Sequence, residues 1–147
     1  MKKVFFSVIA MLALTLVSQA QEYKVVTIVE SIVPMGLGRS RMIMEKTPVD
    51  YKDFTTERTN GQDSKSGKVK RQDAKIDAMD ETKLLNFYSG VGINFQNIAS
   101  NDAIISSKIT AMAKEGWKLQ FVASGVESKG SKDDKYGIYI TRLFFSR

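Results

Sequence analysis

The chain has 147 residues, 43% of them hydrophobic, and carries 22 basic against 16 acidic side chains with neither histidine nor cysteine. A chain without those two residue types has no catalytic triad or dyad built on them, no disulfide, no thiolate chemistry and no ordinary zinc site. Acid–base or nucleophilic chemistry would have to use carboxylates, Lys, Tyr and Ser or Thr, whose pKa values or partners depend on the fold.

The first twenty residues have the pattern of a secretory signal peptide. Lys2-Lys3 precedes an apolar run over 4–17, and Ser18-Gln19-Ala20 ends it with small residues. A membrane anchor is the alternative, but about 14 apolar residues are fewer than the roughly 20 of a spanning helix. We therefore expect cleavage after Ala20 and a periplasmic or secreted protein. It would not be a lipoprotein, because no cysteine stands at the cleavage point.

The remaining residues, 21–147, are predicted to form one domain. Cleavage of the signal peptide would remove Lys2 and Lys3 and leave 20 basic against 16 acidic side chains, a net charge of +4. Most charges alternate in sign along the chain, whereas nucleic-acid binders concentrate basic residues on one face or in one run. We therefore expect no nucleic-acid partner. No later segment is apolar and long enough for a transmembrane span.

The start of this domain predicts a strand over Tyr23–Val33, rich in β-branched residues and closed by Pro34. Both faces are largely apolar in its middle, which favours a central strand or one covered on both sides. A turn at 35–38 and a shorter strand over Arg39–Glu45 follow.

Residues 46–83 are predicted to be a flexible insertion. Between Phe54 and Val69 there is almost no large apolar side chain, so a loop over 55–71 cannot offset its ordering entropy by burial. A short helix is predicted within Val69–Leu85. We interpret its acidic residues as a solvated face rather than a calcium site, and the basic run over 65–75 as a solvated loop rather than a site for an anionic polymer.

The segment Leu84–Ile98 is aromatic, Asn-rich and punctuated by glycine, which indicates irregular or partly extended packing. Phe87, Tyr88 and Phe95 with nearby asparagines are of the kind that contacts sugars. Packing of the aromatic rings in the core is the favoured interpretation.

The clearest helix signal runs from Ser100 to Gly116, with Ser100 or Asn101 as the cap and Gly116 as the left-handed stop. The stripe Ile105, Ile109 and Met112 predicts one buried face. Strict alternation then predicts a half-buried strand over Trp117–Val126, with Trp117, Leu119, Phe121 and Ala123 inward. A polar hairpin loop over Glu127–Lys135 leads to a last strand over Tyr136–Phe145.

These elements predict an α+β fold: a small, mostly antiparallel sheet of three to four strands with one main helix across one face, plus the long mobile insertion. A strand, a helix and a second parallel strand require a crossover. The last strand, arriving by a hairpin, would lie antiparallel between the other two.

Three parts of the chain resemble the small bacterial proteins grouped as domain of unknown function 4177. They are EYKVV at Glu22–Val26, the junction Lys114-Glu115-Gly116-Trp117-Lys118-Leu119 and the ending 143–147. The resemblance covers 22–33 and 101–147. It implies a strand–helix–strand–strand core, with 34–100 as an insertion. No activity and no catalytic residue follow from it.

One loop suggests a weak anion-binding site. Gly36 and Gly38 give a flexible backbone beside Arg39, Ser40 and Arg41, whose guanidinium and hydroxyl groups suit an anion. The pattern is neither a Walker loop nor a dinucleotide fingerprint. A simple turn feeding an exposed strand is the alternative.

We therefore predict an exported, non-enzymatic module that acts through binding or assembly with an unknown envelope or extracellular partner. No cofactor, metal or catalytic residue is expected. The alternative is a small hydrolase or ligand-processing protein using carboxylate, Tyr or Lys groups. That alternative needs a deep pocket with two titratable groups whose pKa values shift in opposite directions.

Overall fold

A computed structural model describes residues 21–32, 40–62, 67, 69–127 and 137–147. Its strands are β1 (Tyr23–Ser31), β2 (Arg41–Glu45), β3 (Met79–Lys83), β4 (Tyr88–Ser89), β5 (Gly92–Ile93), β6 (Lys118–Glu127) and β7 (Ile138–Ser146). A 3-10 turn covers Tyr51–Phe54, and the helix α1 covers Phe95–Lys114. Three of the predicted elements lie outside these residues. They are the signal peptide, the turn at 35–38 and most of the hairpin loop at 127–135.

The main sheet has five strands in the order β3-β2-β1-β7-β6, and every neighbouring pair is antiparallel. The α+β class is confirmed, but the predicted three to four strands are too few. β7 lies between β1 and β6 as predicted. β4 and β5 form a separate two-stranded ribbon.

The additional strand is β3, where the sequence predicted a short helix, and that prediction is wrong. Residues 79–83 pair residue by residue with β2. Glu81 contacts the Arg41 guanidinium, and the Asp80 carboxylate lies 2.8 Å from the Lys46 ammonium. Acidic side chains that look like a helix face in isolation are therefore cross-strand partners of basic side chains.

β1 occupies the centre of the sheet, as predicted. Its residues Val26 and Ile28 are buried beneath α1 with Met42 of β2 and with Leu143 and Phe145 of β7. Met112 completes this core from the helix, with Ile105 and Ile109 partly buried against it. The predicted apolar stripe of the helix is thus confirmed.

The helix starts earlier than predicted. Asn94 is its cap: its side-chain oxygen accepts a hydrogen bond from the Asn97 amide at 3.1 Å. The prediction of Ser100 or Asn101 as the cap is wrong, because Asn101 lies inside the helix and is fully buried. The predicted stop is confirmed, since Gly116 follows the helix with a φ of +88° that favours glycine.

The prediction of a half-buried β6 is wrong, because every residue of the strand except the partly buried Ala123 is exposed. Trp117, just before the strand, is 3% exposed and belongs to the core, as predicted. Leu119 and Phe121 are exposed, contrary to the prediction. A β-bulge at Gln120 places Leu119 opposite Phe145 and Phe121 opposite Phe144, so the two residues lie on opposite faces of the sheet.

No helix among the described residues is both long and apolar enough to cross a bilayer.

Candidate functional site

The outer edge of β6 is the most distinctive surface of the described molecule. Within the described residues, β6 pairs with β7 alone, so its other edge presents unpaired backbone groups over ten residues. Four large apolar side chains on this strand, which we call the β6 surface, are 42% to 62% exposed. They are Leu119, Phe121, Val122 and Val126.

The register assigns each β6 side chain to a face, because directly opposed residues of an antiparallel pair share a face. Leu119, Val122 and Val126 lie on the face that carries α1, opposite Phe145, Leu143 and Tyr139. Phe121, Ala123 and Gly125 lie on the other face. The buried core takes side chains from α1, β1, β2 and β7 and none from β6, so the apolar side chains of β6 stay exposed on both faces of the sheet.

The opposite edge of the sheet is built differently. β3 has only five residues, and Asp80, Glu81 and Lys83 place charges on both of its faces. Short length and charge are common devices that keep an edge strand from pairing with another chain. β6 carries the bulge at Gln120, but it is ten residues long and has no charged residue between Lys118 and Glu127.

A shallow depression of about 390 Å³ adjoins β6 on the face opposite the helix. It is lined by residues 123–127 together with Ile140 and Arg142. Gly125 contributes no side chain, and a Cβ built there would meet nothing within 4 Å. On the same face Phe121 contacts Phe144, with ring centroids 5.8 Å apart, and leaves 62% of its surface exposed. The depression is therefore open to an apolar group from outside.

A second cleft, of about 700 Å³, lies beside the start of β1. Its wall includes Tyr23, Lys24, Lys46, Asp80 and Trp117. The Lys24 ammonium and the Arg147 guanidinium lie over the Trp117 ring, 4.8 and 4.6 Å from its centroid. Lys46 lowers the pKa of the Asp80 carboxyl through a hydrogen bond, against a smaller effect of burial. Lys46 and Asp80 therefore pair with each other, whereas Lys24 and Arg147 contact the indole and Arg147 also pairs with Glu22.

A buried polar network ties α1 to the sheet. The Asn101 amide donates to Glu30 Oε1 at 2.7 Å and to the Leu85 carbonyl at 2.8 Å, and its oxygen accepts from the Leu85 amide at 2.8 Å. Burial raises the pKa of the Glu30 carboxyl above 4.5, and the nearby Asp102 charge adds to this, while the Asn101 hydrogen bond opposes it. Glu30 lines none of the clefts described above, so the network fixes the helix on the sheet.

The predicted anion loop is described only in part, since Gly36, Gly38 and Arg39 lie outside the described residues. Ser40 is fully buried; its hydroxyl accepts a hydrogen bond from the Ser31 amide at 2.9 Å and donates to Asn86 Oδ1 at 2.7 Å. Arg41 contacts Glu81 and donates to the Ser40 carbonyl. Both side chains thus have partners inside the protein, and the anion site stays a prediction.

The asparagines considered for sugar binding have structural contacts. Asn94 caps α1, and Asn97 donates its side-chain amide to the Asn86 carbonyl at 2.9 Å. Phe87 and Tyr88 are half-buried, whereas Phe95 is exposed. The prediction that these rings pack in the core is wrong for Phe95, and the half-buried Phe87 and Tyr88 lie outside the buried cluster.

The β6 surface was missed by the sequence analysis. The available signal was the ten-residue stretch Lys118–Glu127, which has charges only at its ends and was interpreted as a strand with one face in the core. Comparison of the chain with protein-family models, with curated proteins and with solved structures found no match.

Proposed function

We propose that this protein is an exported, non-enzymatic module that acts by binding or assembly through the edge of β6. The observation that carries the proposal is an unpaired edge strand of ten residues, uncharged from Leu119 to Val126, with apolar side chains exposed on both faces. Such an edge offers backbone hydrogen bonds for affinity and side-chain pockets for specificity to an added strand.

Exposed apolar groups on β6 also supply a driving force. Each Å² of apolar surface removed from water contributes roughly 25 cal/mol. Isolated exposed hydrophobic residues need no explanation, but a contiguous set on a long, uncharged edge strand is typical of an interaction site. The β6 surface meets that criterion because its four members lie within eight consecutive residues.

The hydrolase alternative has less support. It requires one cleft with two titratable groups of opposed pKa shift. Among the described residues the pKa is raised at Glu30 and lowered at Asp80. Asp80 lines the 700 Å³ cleft, but Glu30 does not. The two groups therefore do not form an acid–base pair.

We also propose a relationship to domain of unknown function 4177. Its support is the order β1, α1, β6, β7, which repeats the strand–helix–strand–strand order implied by the resemblance. Residues 34–100 would then be an insertion that contributes β2 and β3 to one side of the sheet.

Photo-crosslinking in the producing cells tests the proposal. A photoreactive phenylalanine analogue replaces Phe121 in one variant and the exposed Tyr51 in a matched control. We expect a discrete adduct from position 121 and none from position 51. Absence of an adduct at 121 would contradict binding through β6. Export is tested separately by mass spectrometry of envelope or medium fractions, where an N-terminus at Gln21 is expected and an intact Met1 would refute the signal peptide.

A further inference from the structure

We propose that the occupant of the β6 edge is β6 of a second copy of this chain, paired antiparallel around Ala123. The inference deepens the proposed function and rests on it. Two copies related by a two-fold axis perpendicular to the sheet present the same strand to each other in opposite directions, which is the geometry of an isologous dimer.

The faces of the side chains select the register. Directly opposed residues must lie on the same face of the sheet. One residue must therefore oppose its own copy, with the axis midway between the two copies of that residue. With the axis at Ala123, Val122 of each copy opposes Ser124 of the other, and both lie on the helix-bearing face. Phe121 then opposes Gly125 on the other face.

The β-bulge makes the outer part of this register consistent. Gln120 is the additional residue of the bulge, so beyond it the pairing shifts by one residue. Leu119 then opposes Val126 on the helix-bearing face, and Lys118 opposes Glu127 on the other. Without the bulge these two pairs would combine opposite faces of the sheet.

Charge and shape are complementary in this arrangement. The only charged residues of β6 are Lys118 and Glu127 at its two ends, and the pairing brings each against the opposite charge of the other copy. The exposed Phe121 ring of each copy meets the 390 Å³ depression around Gly125 of the other, where a glycine leaves room for it. An aromatic ring over a cross-strand glycine covers backbone that would otherwise face water.

Cysteine crosslinking tests the register, because the natural chain has no cysteine. Opposed Cα atoms in an antiparallel pair are about 4.5 to 5.5 Å apart, within the range of a disulfide. The Ala123→Cys protein should form a disulfide dimer on mild oxidation. The matched control Ser124→Cys, whose cysteines are not opposed, should stay largely unlinked. An unlinked, folded Ala123→Cys protein, or equal linking of both variants, would overturn the proposal.

Charge exchange provides a second test without cysteine. Lys118→Glu and Glu127→Lys should each weaken the dimer about five- to thirtyfold, equivalent to one or two kcal/mol. A mixture of the two variants should form a heterodimer of near-natural affinity, because every opposed pair is again of opposite sign. Lys83→Glu on the other sheet edge should leave dimerisation unchanged. A natural protein that is monomeric at millimolar concentration, or a mixture that does not associate, would overturn self-pairing.

The two levels of the proposal are separable. An adduct between position 121 and a different protein, together with an unlinked Ala123→Cys variant, would overturn self-pairing and leave the proposed function standing. If position 121 forms no adduct and the Ala123→Cys variant stays unlinked, both self-pairing and the proposed function would be overturned.

Discussion

Replacement of Trp117 by Ala should destabilise the protein strongly. The indole is 3% exposed and packs in the same core as Met112 and Phe145, and its backbone amide donates to the Met112 carbonyl at 3.0 Å. Removal of a buried aromatic side chain costs about 3 to 5 kcal/mol, because transfer energy is lost and a cavity remains. Loss of the contacts with Lys24 and Arg147 adds about 0.5 to 1 kcal/mol each.

A loss of this size is a large part of the roughly 5 to 15 kcal/mol that stabilises an ordinary domain. In urea, with a slope of about 2 kcal/mol per M, the unfolding midpoint should fall by about 2 to 3.5 M. Far-UV circular dichroism follows the transition, since the variant lacks the only tryptophan. Tyr51→Ala, which truncates an aromatic side chain that is 71% exposed, is the matched control and should change the midpoint little. Ready acrylamide quenching of Trp117 in the natural protein, or equal midpoints for the two variants, would refute the packing argument.

Three further predictions concern the polar network and the loop. The raised pKa of Glu30 means that the folded state holds the proton of this carboxyl more tightly than the unfolded state does, so stability should fall as pH rises from 4.5 through the raised pKa. Glu30→Gln should flatten this pH dependence in melts recorded at a series of pH values, and it should stabilise the protein at neutral pH. An unchanged pH profile would contradict this. Asn101→Ala, which leaves both Leu85 backbone groups and Glu30 without their partner, should cost about 2 to 4 kcal/mol in urea melts; a loss as small as that of the exposed Ser107→Ala would contradict the network. Limited trypsin digestion should cut first at Arg58, Lys70 or Arg71, where apolar anchors are few, and cleavage within β1 or β7 at an equal rate would show otherwise.

Local signals in the sequence were sufficient for the elements that form the core. β1 and β7 carry β-branched and aromatic runs, and α1 carries the Ile105, Ile109, Met112 stripe and ends at Gly116. The position of β7 between β1 and β6 followed from hairpin and crossover rules. These features depend on neighbouring residues, which is why periodicity predicts them.

The features that were missed depend on distant residues. The start of α1 was misplaced because Asn101 looks like a cap, whereas its buried amide meets Glu30 from β1. β3 has a charged sequence typical of a solvated helix, and only its pairing with Arg41 and Lys46 explains it as a strand.

The exposure of β6 could not be predicted from alternation alone. The bulge at Gln120 reverses the alternation within the strand, and the buried core that includes Met112 of α1 takes no side chain from β6. Both are tertiary features. The candidate site therefore appears only in the structure, although the uncharged stretch that forms it was visible in the sequence.

Backbone amide hydrogen exchange over a range of protein concentrations tests the central claim, that β6 is an open edge which pairs with another copy. In dilute solution the β6 amides that do not donate to β7 should exchange rapidly, while those of β1 stay protected at the centre of the sheet. At high concentration the same β6 amides should become protected and the β3 edge should not. Protection of β6 at every dilution, or rapid exchange at every concentration, would contradict the account.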